Sequence, residues 1–177
     1  MTSSVIIKFL SATLLTVAVF LAPELEQRSV LNDKLSILVP KDWKPMPESL
    51  KKIKYPGEKP PQLVLSDRSG GISLAFNHTG SKASPKDLGR YAQVLENSLR
   101  NAYPDAVWEG IGNEKINNKQ VYFFKVITET ADGKIFNQMF FTDLDSSLLI
   151  CSFNAIEKRM KDWKPVADSM MRSLQVR

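Results

Sequence analysis

The sequence predicts an α+β domain: an antiparallel sheet of about six to seven strands flanked by helices. Three observations predict it. Short runs of alternating apolar and polar residues recur over 62–77 and again over 106–153, with turn signals between them. The segments 84–102 and 162–174 carry apolar residues at helical spacing instead. The connections in the second strand run are also too short for the crossovers that parallel pairing requires.

Taken in order, 35–39 reads as a first short strand stopped by Pro40, and Asp42-Trp43 opens a turn. Residues 47–53 read as a short helix, with Pro47 suited to its first turn and Leu50 and Ile53 on one face. The stretch YPGEKPP (55–61) excludes regular structure, because three prolines and a glycine interrupt it. Runs 62–66 and 72–77 form a hairpin around Asp67-Arg68-Ser69-Gly70-Gly71. The longest helix starts at Ser84 as N-cap, with Pro85 first and Asp87 three residues after the cap. Its face is Leu88, Tyr91, Ala92, Leu95, Leu99 and Ala102, and Pro104 closes it. Strands at 106–114, 120–129, 135–142 and 147–153 follow, the middle pair joined by the hairpin signal Ala131-Asp132-Gly133-Lys134. The closing helix presents Trp163, Val166, Ala167, Met170 and Leu174. DWKPMPESL (42–50) echoes DWKPVADSM (162–170), and both read as one local device, a capped helix start with a packed tryptophan.

Residues 1–22 stand apart. A short start with one lysine precedes FLSATLLTVAVFLA (9–22), the n-region and h-region of a secretory signal. The run is shorter than the roughly 20 apolar residues of a membrane span. Pro23 and Phe20 make Ala22 a poor cleavage point, so the segment reads as a cleaved signal peptide or as a retained N-terminal anchor touching the inner membrane through residues 5–22. Both readings place the rest of the chain outside the cytoplasm, in the periplasm or facing it from the membrane. Residues 23–33 are polar and read as a tether, leaving 34–177 as one domain.

Pro40-Lys41-Asp42-Trp43 after a short strand, a meander around a long helix, and a final helix ending Asp168-Ser169-Met170-Met171-Arg172-Ser173-Leu174 together resemble the PsbP-like superfamily, including the bacterial DcrB-like exported proteins. The resemblance covers residues 33–175 and implies a helix–sheet–helix sandwich without an enzyme active site. It also implies an accessory role: a subunit, a binder of other proteins, or an adaptor for secreted toxins. DcrB-like members are lipoproteins, and this chain lacks a cysteine at the end of its apolar leader. No ligand motif of the family maps onto its residues.

The residues themselves offer little chemistry. Nucleophilic catalysis needs a nucleophile and a base, and the chain has one histidine, His78, and one cysteine, Cys151. His78 reads as a strand-end turn residue, and Cys151, inside Leu148-Leu149-Ile150-Cys151, as a small buried hydrophobe. Too few His and Cys are present for a zinc site, and Asp143 and Asp145 lack the further acids of a calcium loop. No cofactor, metal or catalytic residue is therefore expected. Net charge is +5, modest for nucleic-acid binding, which export also opposes. The surface candidate is KKIKYPGEKPP (51–61), a basic, proline-stiffened loop in which Lys51, Lys52, Lys54, Tyr55 and Lys59 would bind another protein. The expectation is an exported, non-catalytic accessory protein, with an immunity or toxin-adaptor role as its specific form. A membrane-anchored envelope-maintenance factor is the alternative, and a hydrolase using His78 the remotest reading.

Overall fold

A computed structural model of the chain describes residues 22–177. The leader expected at 1–22 lies outside the described residues except for Ala22. Ten strands and three helices follow in the order β1 (Leu25–Val30), β2 (Leu35–Pro40), β3 (Lys44–Pro45), α1 (Glu48–Lys54), β4 (Leu63–Ser66), β5 (Ile72–Lys82), α2 (Leu88–Ala102), β6 (Val107–Ile116), β7 (Lys119–Thr130), β8 (Gly133–Leu144), β9 (Ser147–Ile156), α3 (Glu157–Arg172) and β10 (Gln175–Val176). A seven-stranded antiparallel sheet, β3-β4-β5-β9-β8-β7-β6, forms the centre, and β1-β2-β10 forms a separate small sheet. The α+β architecture is the one the alternation and the two amphipathic helices predict.

One face of the large sheet packs against α3 and β2. Leu35, Ile37 and Val39 of β2 meet Leu74, Phe76, Phe140 and Phe153 of the sheet and Trp163, Met170 and Met171 of α3 in one buried cluster. The two DWKP segments converge there: Trp43 and Trp163 stack with ring centroids 5.6 Å apart, and both lie nearly parallel to Phe153. The sequence echo is thus a pair of tryptophans that pack on each other. The opposite face carries α2 over Phe124, Val126, Phe141 and Leu148, and α1 over Val64 and Ala75.

The structure departs from the sequence reading at several places, and His78, read as a strand-end turn residue, lies inside β5. Residues 25–30, expected within a tether, form β1, which pairs with β2 in antiparallel register, so the domain begins before residue 34. Gln27 donates to Ser36 Oγ at 2.7 Å, and Arg28 donates to the Trp43 carbonyl at 3.0 Å. This strand is held by main-chain ladder and polar contacts, which leave no apolar period in the sequence. Second, α2 begins at Leu88 rather than Ser84. Asp87 Oδ2 accepts from the Ser84 N–H at 2.9 Å and from its Oγ at 2.6 Å, the return half of a capping box across a leading turn. Third, α3 begins at Glu157 and runs through Pro165, which sits on its exposed side, where a carbonyl that loses its N–H partner can be hydrated.

The tight hairpins use left-handed backbone. Asn117-Asn118 joins β6 to β7 and Asp145-Ser146 joins β8 to β9, all four at positive φ, the type I′ pattern that matches strand twist. Asp143 and Asp145, weighed as a paired acidic turn, are separated: Asp143 pairs with Lys119 at 2.6 Å, Asp145 with Lys34 at 2.6 Å. Among the described residues no helix is long and apolar enough to cross a membrane.

Candidate functional site

The basic loop expected to bind as one patch is divided by the fold. Lys52 and Lys59 are exposed and make no ion pair among the described residues. Lys51 pairs with Glu48 at 2.6 Å. Lys54 and Tyr55 turn inward. Lys54 Nζ donates to the Gly70 carbonyl at 3.0 Å and to Ser73 Oγ at 2.7 Å, and burial pushes its ammonium down to about 8. Tyr55 Oη donates to Asn154 Oδ1 at 3.3 Å, and burial pushes its hydroxyl up. The cause lies in α1, whose seven residues place Leu50 and Tyr55 against Met46, Val64 and Ala75. Lys54, at the last turn, then lies over the start of β5, while Ile53, expected on the packed face with Leu50, is 77% exposed.

Between α2 and this loop the sheet face is open. Strand register sets its floor in rows across the strands. Ala75, Ser152, Met139 and Phe124 form one row over β5, β9, β8 and β7; Ser73, Asn154, Asn137 and Val126 form the next. Two adjoining cavities follow these rows and share Tyr55, Met139 and Ser152. The narrower, about 220 Å³, reaches Leu99 and Tyr103 at the C-terminal end of α2. The wider, about 420 Å³, is walled by Lys54, Lys59 and the prolines of the loop. Three inter-strand spacings make the floor about 15 Å long, room for four to five extended residues.

The floor is amphipathic. Met139, Ile150 and Ala75 supply apolar contact, while amides form a chain. Asn154 Nδ2 donates to Asn137 Oδ1 at 2.6 Å, and Asn137 Nδ2 donates to Thr128 Oγ1 at 3.0 Å and to the Ile135 carbonyl at 3.1 Å. Met139 reads in the sequence as a packing residue of the 135–142 strand, and the structure places it in the floor; Asn137, Ser152 and Asn154 were not singled out there. Their signal is a run of small hydrogen-bonding residues at the positions opposite Phe136, Cys151 and Phe153.

The candidate reactive residues lie elsewhere. His78 Nε2 donates to the Leu144 carbonyl at 2.9 Å, so the imidazole engages main chain rather than an acid or a hydroxyl. Cys151 is buried against the α3 side of the sheet, and that burial pushes its thiol far up, away from the thiolate. Among the described residues no group of three or more His, Cys, Asp or Glu is placed to hold a metal ion.

These layers define a class: the chain has the PsbP-like fold, a seven-stranded sheet sandwiched between helices. The solved structures of similar fold include cyanobacterial PsbP (CyanoP) from Synechocystis sp. PCC 6803, at 16% identity, covering 91% of this chain and 96% of that one with a TM-score of 0.60. LpqN of Mycobacterium tuberculosis, involved in cell envelope biogenesis, matches at 12% identity over 86% of this chain and 91% of its own, with a TM-score of 0.57. PA94 of Pseudomonas aeruginosa, a protein of unknown function, matches at 9% identity over 86% and 97%, with a TM-score of 0.51. No protein-family model and no curated protein sequence matches the chain. At such identities the likeness defines the fold, and the chemistry must be argued from this chain's own residues.

Proposed function

We propose that the chain is an exported, non-catalytic accessory protein of the periplasm or cell envelope that binds a segment of another protein in the groove between α2 and the 55–61 loop. One observation carries the reading: an open, amphipathic strip of sheet bordered by Tyr55, Tyr103 and a proline-stiffened loop, where rigid aromatic anchors stand beside hydrogen-bonding amides. The apolar leader supports export, and the involvement in cell envelope biogenesis of LpqN, which shares the fold, supports the compartment. An immunity or adaptor role toward a secreted toxin is the specific form of this function.

Site-specific photocrosslinking in the producing cell tests it. A benzophenone amino acid replacing Tyr103 or Lys59 is expected to give the same discrete protein adduct from both positions. The same group at Lys158, exposed on α3, is expected to give none. Absence of an adduct from both groove positions, or one pattern from all three positions, would refute the assignment of the groove.

A further inference from the structure

Five lysines among the described residues are partly buried: Lys51, Lys54, Lys119, Lys125 and Lys164. Four of them have a carboxylate oxygen at 2.6 Å, from Glu48, Asp143, Asp168 and Glu109 respectively. Lys54 is the exception. Its ammonium has two neutral acceptors, the Gly70 carbonyl and Ser73 Oγ, and no carboxylate within 4.0 Å among the described residues. An ammonium has three donors, so one remains after these two bonds. Asp67 acts on Lys54 only at longer range, and its oxygens are engaged by Ser69 Oγ, the Ile72 N–H and, at 4.0 Å, Arg159. Withdrawing a charge from water without an opposite charge costs stability, and four of the five comparable positions avoid that cost.

The exception falls in the groove. Lys54 and Lys59 wall its wider part, and no acidic residue lines either cavity. Asn77 lines the same part, and its side chain makes no hydrogen bond among the described residues. Elsewhere this fold shows how a side-chain amide holds extended backbone: Gln62 Nε2 donates to the His78 carbonyl and Gln62 Oε1 accepts from the His78 N–H, both at 2.8 Å. Asn77 is equipped to do the same for a segment lying in the groove.

We propose that the wide end of the groove is a carboxylate-reading site, in which Lys54, backed by Lys59, selects an extended acidic segment of the partner protein. This rests on the reading of the groove as a protein-binding surface and adds the chemistry of what binds. The carboxylate takes the remaining Lys54 donor, Lys59 closes over it from the loop, and the amides of the floor take the peptide main chain.

The test uses the full chain, immobilised, and two pooled libraries of acetylated octapeptides that differ only in a fixed central Glu or Gln. The Glu pool is expected to be retained at least about tenfold better, the range of one charge-assisted hydrogen bond. The ratio is expected to fall to near one in Lys54→Met, to fall partially in Lys59→Met, and to stay unchanged in Lys158→Met. Equal retention of the two pools by the unaltered chain overturns the carboxylate site and leaves the groove standing. Retention of neither pool, or retention that survives blocking the floor by Ser152→Trp, overturns both. The comparison of pools on the unaltered chain decides the matter even if a Lys54 variant fails to fold.

Discussion

The partly buried Lys54 makes stability respond to pH in an unusual direction. In the folded chain its ammonium loses its proton near 8, whereas the ordinary value, 10.5, applies once the chain unfolds. Between these values the unfolded state binds more protons than the folded state, so stability rises with pH. Below about pH 8 the lysine is charged in both states and the cost of burying the charge is present in full. From pH 7 to pH 9.5 the relief amounts to about 2 kcal/mol of a total near 3 kcal/mol. For a domain of this size that is a melting-temperature rise of about 4–8 °C. The quantity to measure is the difference between the parent chain and Lys54→Met, which isolates this one group. Thermal denaturation at pH 7, 8, 9 and 9.5 should show the parent gaining on the variant by that amount. Parallel curves for the two proteins would refute the reasoning, because they would mean that Lys54 keeps its ordinary affinity for a proton.

Three further outcomes follow from packing and burial. Trp163→Ala removes the stack with Trp43 and Phe153 from the α3 side of the core and should cost about 3–5 kcal/mol in urea denaturation. Gly112→Val should cost about 1–3 kcal/mol, because a Cβ there lies 2.9 Å from Phe123 Cζ on the neighbouring strand; a neutral result in the same assay would show that the ring moves aside freely. Cys151 should stay unreactive toward a thiol reagent in the native chain and react only as the protein unfolds, so that its modification rate follows denaturant concentration.

What was legible in the sequence is what periodicity encodes. The strands from β4 to β9 announced themselves by alternation, and α2 and α3 by their apolar faces, because every second strand residue turns into the α3-side core while the opposite face is only partly covered. β1 was illegible for the opposite reason. Leu25 and Val30 are its apolar residues, five apart, and its pairing rests on main chain and on Gln27 and Arg28. The candidate site was half legible. A basic, proline-rich segment is visible at once, but only the tertiary packing decides which of its lysines faces water. Lys54 sits at the last turn of a short helix, where a lysine ordinarily complements the helix dipole in solvent. It turns inward because β5 places Ser73 and the preceding turn places the Gly70 carbonyl beneath it. Likewise nothing in the sequence marks Asn137 and Asn154, which become a groove floor only because α2 ends at Ala102 and leaves them uncovered.

The two faces of the large sheet answer a partly buried lysine differently. On the α3 side, Lys125 meets Asp168 at 2.6 Å and Gln138 Nε2 donates to the same carboxylate at 3.0 Å, a closed charge pair across strand and helix beside which Gln138 Oε1 and Trp163 Nε1 find no partner among the described residues. That arrangement ties α3 to the sheet. On the α2 side, the amide chain from Thr128 through Asn137 and Asn154 ends at Tyr55, and the neighbouring lysine meets no acid. A face that needed only to be filled would be served better by the leucine and phenylalanine that β7 and β8 place a few residues away, since an apolar replacement of a buried polar network is commonly neutral or stabilising. The unanswered Lys54 ammonium on that side lowers the stability of the isolated domain while it stays charged. On the proposed reading, the strip regains that free energy when extended main chain and a negative charge are laid along it.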